Sequence, residues 1–221
     1  MGIIRKLAVN TDSTSLASRM RQERSKLFWD WAKGFGPSVR ILDVGGTVFW
    51  WKNNAEVPDF AHHITLFNLP GTPVPEELEE RFDIVFGDAR DLSEFEDQSF
   101  DIVFSNSVIE HVGRLQEQQK MASELRRVGK HYFIQTPNRC FPMEPHFLFP
   151  FWQFLPLRVR ASVLRYFNVG WVNKQRTYFD ATVRVEEIRL LTLGELQHLF
   201  PDAEVLREKV SGFTKSYMLR K

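Results

Sequence analysis

Five short apolar runs, each closing on a glycine or polar turn, constrain this chain more than any other feature. They lie at residues 39–44, 62–67, 82–86, 100–104 and 131–135. The turns after them read Gly45-Gly46-Thr47, Gly71-Thr72-Pro73, Gly87-Asp88-Ala89, Ser105-Asn106 and Thr136-Pro137-Asn138. Strands this rich in apolar residues, separated by helices or short crossovers, imply a mostly parallel sheet covered on both faces. Helical spacing supplies the cover. Residues 13–33 place Leu16, Met20, Leu27, Phe28 and Trp31 on one side, and residues 107–128 do the same with Val108, Val112, Leu115, Ala122 and Leu125. Residues 192–200 form a short helix with Thr192 as its cap. Residues 204–208 and 213–219 then read as an antiparallel pair joined through Ser211-Gly212. The expected fold is α/β: one domain over residues 1–221, with a doubly wound, mostly parallel seven-stranded sheet ending in an antiparallel pair.

Residues 141–180 break this rhythm. Pro142, Pro145, Pro150 and Pro156 punctuate a stretch carrying Phe141, Phe147, Phe149, Phe151, Trp152 and Phe154, then Arg158, Arg160 and Arg165. The segment reads as an insertion that forms a lid or an apolar pocket, with a lipid surface as the lesser alternative for its arginines. Trp50, Trp51, Trp152 and Trp171 are expected in the core. A net charge of +1 provides no field to recruit nucleic acid, so a nucleic-acid partner is not expected. The single cysteine, Cys140, excludes an intramolecular disulfide or a cysteine metal cluster and fits a reducing, cytoplasmic setting. Residues 1–10 lack a signal-peptide core, and no apolar stretch approaches the roughly 20 residues that span a bilayer, so membrane contact is expected to be peripheral at most. A monomer or homodimer is expected.

In open parallel sheets, ligands bind beyond the carboxyl ends of the strands. Asp43, Asn68, Asp88 and Ser105 stand there. Asp43 can brace the glycine loop or receive donors from a charged ligand. Asp88 can accept from an exocyclic amine while the Ala89 amide donates to a ring nitrogen. Glu110 and His111 are expected at a helix start beside this pocket, and Glu144 and His146 follow the fifth strand toward it. An imidazole so placed can act as a general base near neutral pH.

Three segments in this order resemble the class I S-adenosylmethionine (SAM)-dependent methyltransferases, specifically the methyltransferase type 11 group. They are Ile41-Leu42-Asp43-Val44-Gly45-Gly46-Thr47, Gly87-Asp88-Ala89-Arg90-Asp91-Leu92, and residues 99–112, which end Ser105-Asn106-Ser107-Val108-Ile109-Glu110-His111-Val112. The resemblance implies a Rossmann-like fold and SAM as cofactor, with S-adenosylhomocysteine (SAH) as product. It implies that Asp43, Gly45, Gly46 and Thr47 lie along the methionine part, Asn68 at the ribose, Asp88 and Ala89 at adenine, and Ser105 at the pocket floor. Thr47 and Phe49 interrupt the family's glycine-rich loop, and Asn68 replaces an acid, with Glu56 and Asp59 as rival acids. The activity implied is methyl transfer to a small-molecule acceptor; O-methylation of a hydroxyl is expected, and the aromatic insertion favours a partly apolar metabolite or lipid-linked sugar. His111, His146 and Glu110 are the candidate catalytic residues. Certain ubiquinone and small-RNA methyltransferases are similar in carrying a Glu-His pair and a later His, but they add a Glu where Ser107 stands here, so no metal is expected. A non-catalytic partner module and an RNA methyltransferase are the alternatives.

Overall fold

The computed structural model describes residues 16–46, 51, 64–73 and 82–221. Helix α1 (Leu16–Ala32) opens it, followed by strands β1 (Ile41–Val44), β2 (Ile64–Asn68), β3 (Asp83–Phe86) and β4 (Phe100–Asn106). Helix α2 (Leu115–Val128) leads into β5 (Gly129–Pro137). The insertion comprises a two-stranded ribbon of β6 (Met143–Glu144) and β7 (Phe149–Pro150), then helices α3 (Leu157–Tyr166) and α4 (Tyr178–Glu186). Helix α5 (Leu193–Leu199) and strands β8 (Glu204–Val210) and β9 (Phe213–Arg220) complete the chain.

The main sheet has seven strands in the order β3-β2-β1-β4-β5-β9-β8. β1 to β5 pair in parallel, whereas β9 runs antiparallel between β5 and β8. The expected α/β architecture, a mostly parallel seven-stranded sheet ending in an antiparallel pair, is therefore observed. The order reverses beside β1, which places a topological switch point between β1 and β4, where ligands bind in such sheets.

Strand periodicity divides the core into two layers. Leu42, Val44, Val103, Tyr132 and Ile134 point to one face, against Met121, Leu125 and Leu196 of α2 and α5. Ile41, Ile102, Phe104 and Phe133 point to the other, against Phe28 and Trp29 of α1 and against Trp51. Phe28 centres this second layer, its ring 4.6 Å from Phe104 and 5.5 Å from Phe133. Alternation therefore aims Asp43 into the aromatic layer. The insertion has a core of its own, built from Phe147, Trp152, Ala161, Leu164, Ala181 and Val185.

The structure corrects three expectations. The helix expected over 107–128 begins only at Leu115, because Ser107 (φ +57°) and Gly113 (φ +111°) adopt left-handed backbone that no right-handed helix accepts. Ile109–His111 forms a single 3-10 turn instead, pinned when the Arg189 amide donates to the Glu110 carbonyl (2.8 Å). On α1, Leu27 is exposed and Trp29 is buried in its place. Trp171 is likewise exposed rather than core, whereas Trp51 and Trp152 are buried as expected; Trp50 lies outside the described residues. Thr192 caps α5 as expected, its hydroxyl accepting from the Glu195 amide while Glu195 bonds the Thr192 amide in return.

Candidate functional site

The carboxyl ends of β1 to β4 border a cleft of about 500 Å³, lined by Gly45, Asn68, Asp88, Ala89, Ser107 and His111 among others. Local chain geometry explains its floor. Gly45 has φ +78° and a side chain there would collide with Val108, while its amide donates to the Phe67 carbonyl (2.8 Å). A Cβ on Gly46 would fall 1.6 Å from the Asp43 carboxylate, so only glycine lets the loop lie over that group. Asn68 fixes the loop from the other side, its amide nitrogen donating to the Gly46 carbonyl (2.9 Å). Thr47 lies outside the described residues, as do Glu56 and Asp59.

Asp43 is fully buried and accepts from the Trp51 indole N–H at 2.5 Å. Burial pushes its carboxyl up to about 7, against the opposing pull of that hydrogen bond. Its second oxygen has no hydrogen-bond partner among the described residues. Asp88 stands at the exposed rim, bonded to Arg90, which holds its carboxyl below the ordinary range. The Ser105 hydroxyl is buried and donates to the Val44 carbonyl (3.0 Å), bracing β4 against β1. The residue of this strand end that borders the cleft is Ser107, which also donates to Gln135 (2.8 Å).

A second cavity of about 520 Å³ lies on the far side of Ser107. Its walls are Met20, Pro137, Phe141, Met143, Leu148 and Trp171, with Arg21, Arg24, Lys215 and Glu208 gathered at one end. Arg24 reaches from α1 to the Asn106 side chain (2.7 Å) and lies 3.5 Å from Glu208 on β8. Sequence reasoning missed Ser107, Trp51, Arg24, Glu208 and Lys215. Arg24 and Asn106 are 82 positions apart, and no local pattern announces such a contact.

The two cavities meet at two imidazoles. His111 lines the first and His146 the second, with ring centroids 4.9 Å apart and nearly perpendicular. Thus the structure brings His111, His146, Glu110 and Glu144 together. Burial, neighbouring His146 and Arg184 push His111 down to about 4. His146 goes the other way: burial lowers it, but the hydrogen bond and charge of Glu144, with Glu110 behind, hold it above its ordinary value. His146 Nδ1 lies 2.7 Å from Glu144, whose other oxygen accepts from the Phe147 amide (2.6 Å). With Nδ1 donating to that carboxylate, Nε2 is the nitrogen left to exchange a proton. Glu110 is fully buried, accepts from the Thr136 hydroxyl (2.9 Å), and is pushed up by burial. Donor atoms of Glu110, His111 and His146 lie within 4.8 Å of one another, the one set among the described residues with the chemistry to ligate a divalent ion.

The donor-side residues fit a nucleoside cofactor of SAM type. The cleft has the volume of a small-molecule site, glycine backbone forms its floor, and an exposed carboxylate beside the Ala89 amide offers one acceptor and one donor to an adenine edge.

Comparison with known proteins agrees with this fold. Residues 63–132 match the family model described as a methyltransferase domain. The chain is similar to the uncharacterized protein MT1557 of Mycobacterium tuberculosis, at 34% identity over 70 residues, which is 32% of this chain and 23% of that protein. The match thus spans under a quarter of that relative's length. Among solved structures, a SAM-dependent methyltransferase from Archaeoglobus fulgidus superposes with a TM-score of 0.52 at 13% identity, covering 92% of this chain and 94% of that one. Magnesium protoporphyrin IX methyltransferase from Synechocystis PCC 6803, solved with bound SAH, gives a TM-score of 0.52 at 13% identity, covering 98% and 90%.

Proposed function

From a chain with the class I SAM-dependent methyltransferase fold, we propose an enzyme that transfers a methyl group from SAM to a small-molecule acceptor bound in the second cavity. One observation carries this reading: the cleft at the switch point and the apolar cavity share Ser107 and face each other across His111 and His146. A donor and an acceptor held in those two compartments meet at the wall between them, and such alignment alone supplies a large part of the acceleration of a two-substrate reaction.

Asp88 and the Ala89 amide would hold the adenine, Asn68 the ribose, and the Gly45-Gly46 loop the methionine part. SAM brings a methyl made electrophilic by its sulfonium charge. This chain's residues orient the acceptor, exclude water and take up its proton. A hydroxyl acceptor suits the site, because Nε2 of His146 can receive that proton while Glu144 keeps the ring oriented and stabilises the imidazolium. His111, held neutral at physiological pH, serves as a hydrogen-bonding neighbour rather than the base. The apolar walls of the second cavity favour an acceptor with a substantial hydrocarbon part, such as a lipid-linked sugar or a hydrophobic metabolite.

Calorimetry of SAH binding to the wild type and to Asp88→Ala tests the donor site. Saturable binding, weakened at least about tenfold by the substitution, is expected from loss of one hydrogen bond to a charged acceptor. Asp88 lies at the surface, and circular dichroism of the variant checks that the fold survives loss of its bonds to Arg90. A folded wild type with no affinity for SAH would overturn the enzyme reading and leave a partner module on a methyltransferase fold.

A further inference from the structure

The end of α3, the connection after it and the start of α4 expose aromatic side chains in a pattern that core packing does not explain. Tyr166, Phe167, Trp171, Tyr178 and Phe179 fall within 14 residues, and Phe167 and Phe179 are 65% and 75% exposed. The loop is not short of interior contacts. Val169 and Val172 are buried in the insertion's core and exchange both backbone hydrogen bonds (2.9 Å each). The Gln175 amide donates to the Leu164 carbonyl (2.9 Å), tying the loop to the end of α3. Gly170 (φ +56°) lies so close to Phe147 that a Cβ there would come 2.1 Å from its carbonyl oxygen. Two valines therefore anchor the segment from within, Tyr166, Phe167, Tyr178 and Phe179 are turned outward, and Trp171 borders the second cavity while partly exposed.

Charge gives this face its partner. Residues 165–180, which carry the aromatic face, hold three bases, Arg165, Lys174 and Arg176, against one acid, Asp180, although the whole chain carries only +1. Asp180 is occupied by the capping box of Thr177 at the start of α4. Lys174 and Arg176 are exposed among the aromatics. Aromatic rings that insert at the headgroup boundary, interleaved with cations that meet lipid phosphates, supply the two signals that reversible membrane binding requires. The same loop borders the acceptor side: Trp171 lines the second cavity together with His146 and Leu148, the neighbours of Phe147, on which Gly170 packs.

We propose that the 166–179 loop docks this protein on an anionic lipid surface and that the acceptor is an amphiphile reaching the second cavity from that surface. The acceptor half of this statement rests on the methyltransferase reading above; the docking half does not.

The test is cosedimentation of the full chain with vesicles of phosphatidylcholine alone and of phosphatidylcholine mixed with phosphatidylserine, at low and high salt, with SAH calorimetry on the same samples. Wild type should favour the anionic vesicles by at least about tenfold and lose that preference as salt rises. The double substitution Phe167→Ser with Phe179→Ser, at two exposed positions, should weaken vesicle binding by at least about tenfold and leave SAH affinity unchanged. Lys174→Glu with Arg176→Glu should abolish the preference for phosphatidylserine. Wild type that ignores both vesicles while binding SAH would overturn the proposal and leave the enzyme reading standing. Vesicle binding without SAH binding would do the reverse. Self-association of the wild type that the serine pair dissolves, with no vesicle binding, would assign the patch to a second copy of this chain and overturn lipid docking.

Discussion

Asp43→Asn isolates the cost of a buried carboxyl. The unfolded chain ionises this group at its ordinary value of 3.8, whereas burial raises it to about 7 in the folded protein. Below the lower value both states are protonated and ionisation costs folding nothing. Between the two values only the unfolded chain releases the proton, so wild-type stability falls as pH rises, by about 1.4 kcal/mol per pH unit. Above the folded value the slope vanishes. Over the interval from 3.8 to about 7, the accumulated loss is about 4 kcal/mol. Asparagine is nearly the same shape, never ionises and still accepts from Trp51, so it escapes this loss. Urea unfolding followed by tryptophan fluorescence, without cofactor, should therefore show the two proteins about equally stable near pH 4 and the variant ahead by about 4 kcal/mol near pH 8. All other titrating groups are common to both and cancel in the difference. A difference that stays flat with pH would refute the reasoning, and a variant that loses ground as pH rises would mean that the fold stabilises the ionised carboxylate.

With a hydroxyl acceptor identified, His146→Ala should lower kcat by about a hundredfold or more while SAH affinity is retained, the usual loss for a general base. In the wild type, kcat should rise with pH through a value above the ordinary imidazole range, because neutral His146 is the active form and its raised pKa sets the rise; a pH-independent kcat would remove His146 from this role. Gly170→Ala should lower thermal stability and acceptor affinity together, since its Cβ meets backbone rather than a movable side chain, and calorimetry should find the SAH site unaffected.

The sheet was legible because its inner strands are buried and dominated by apolar residues; residues 41–44, 64–68 and 100–104 stand out in spite of Asp43, Thr65 and Asp101 within them. Thr192 was legible as a cap because capping is local chemistry, and the structure adds Glu195 to complete a capping box. The start of α2 was not. Val108 and Val112 keep helical spacing and pack against the core beside α2, but Ser107 and Gly113 carry the backbone through left-handed conformations that sidechain pattern does not encode. Within the site, the residues that follow strands could be placed from the strands themselves. The partners that give those residues their chemistry could not. Asp43 depends on Trp51 and on an aromatic layer led by Phe28, and the second cavity depends on side chains from opposite ends of the sequence. The insertion's aromatics resisted sorting because composition is blind to direction: Trp152 and Phe147 stack 4.7 Å apart in its core, while Phe167 and Phe179 face outward.

The bond from Arg24 on α1 to Asn106, with Glu208 of β8 closing behind it, makes the second cavity a joint product of distant parts of the sequence. The first cleft takes its described lining from residues 44–113, yet Gln135 holds Ser107 and Arg189 holds the Glu110 turn, whereas the second cavity draws its walls from Ala17 through Ser216. Neither compartment keeps its described shape without the chain out to Arg189, and the second needs β9 as well.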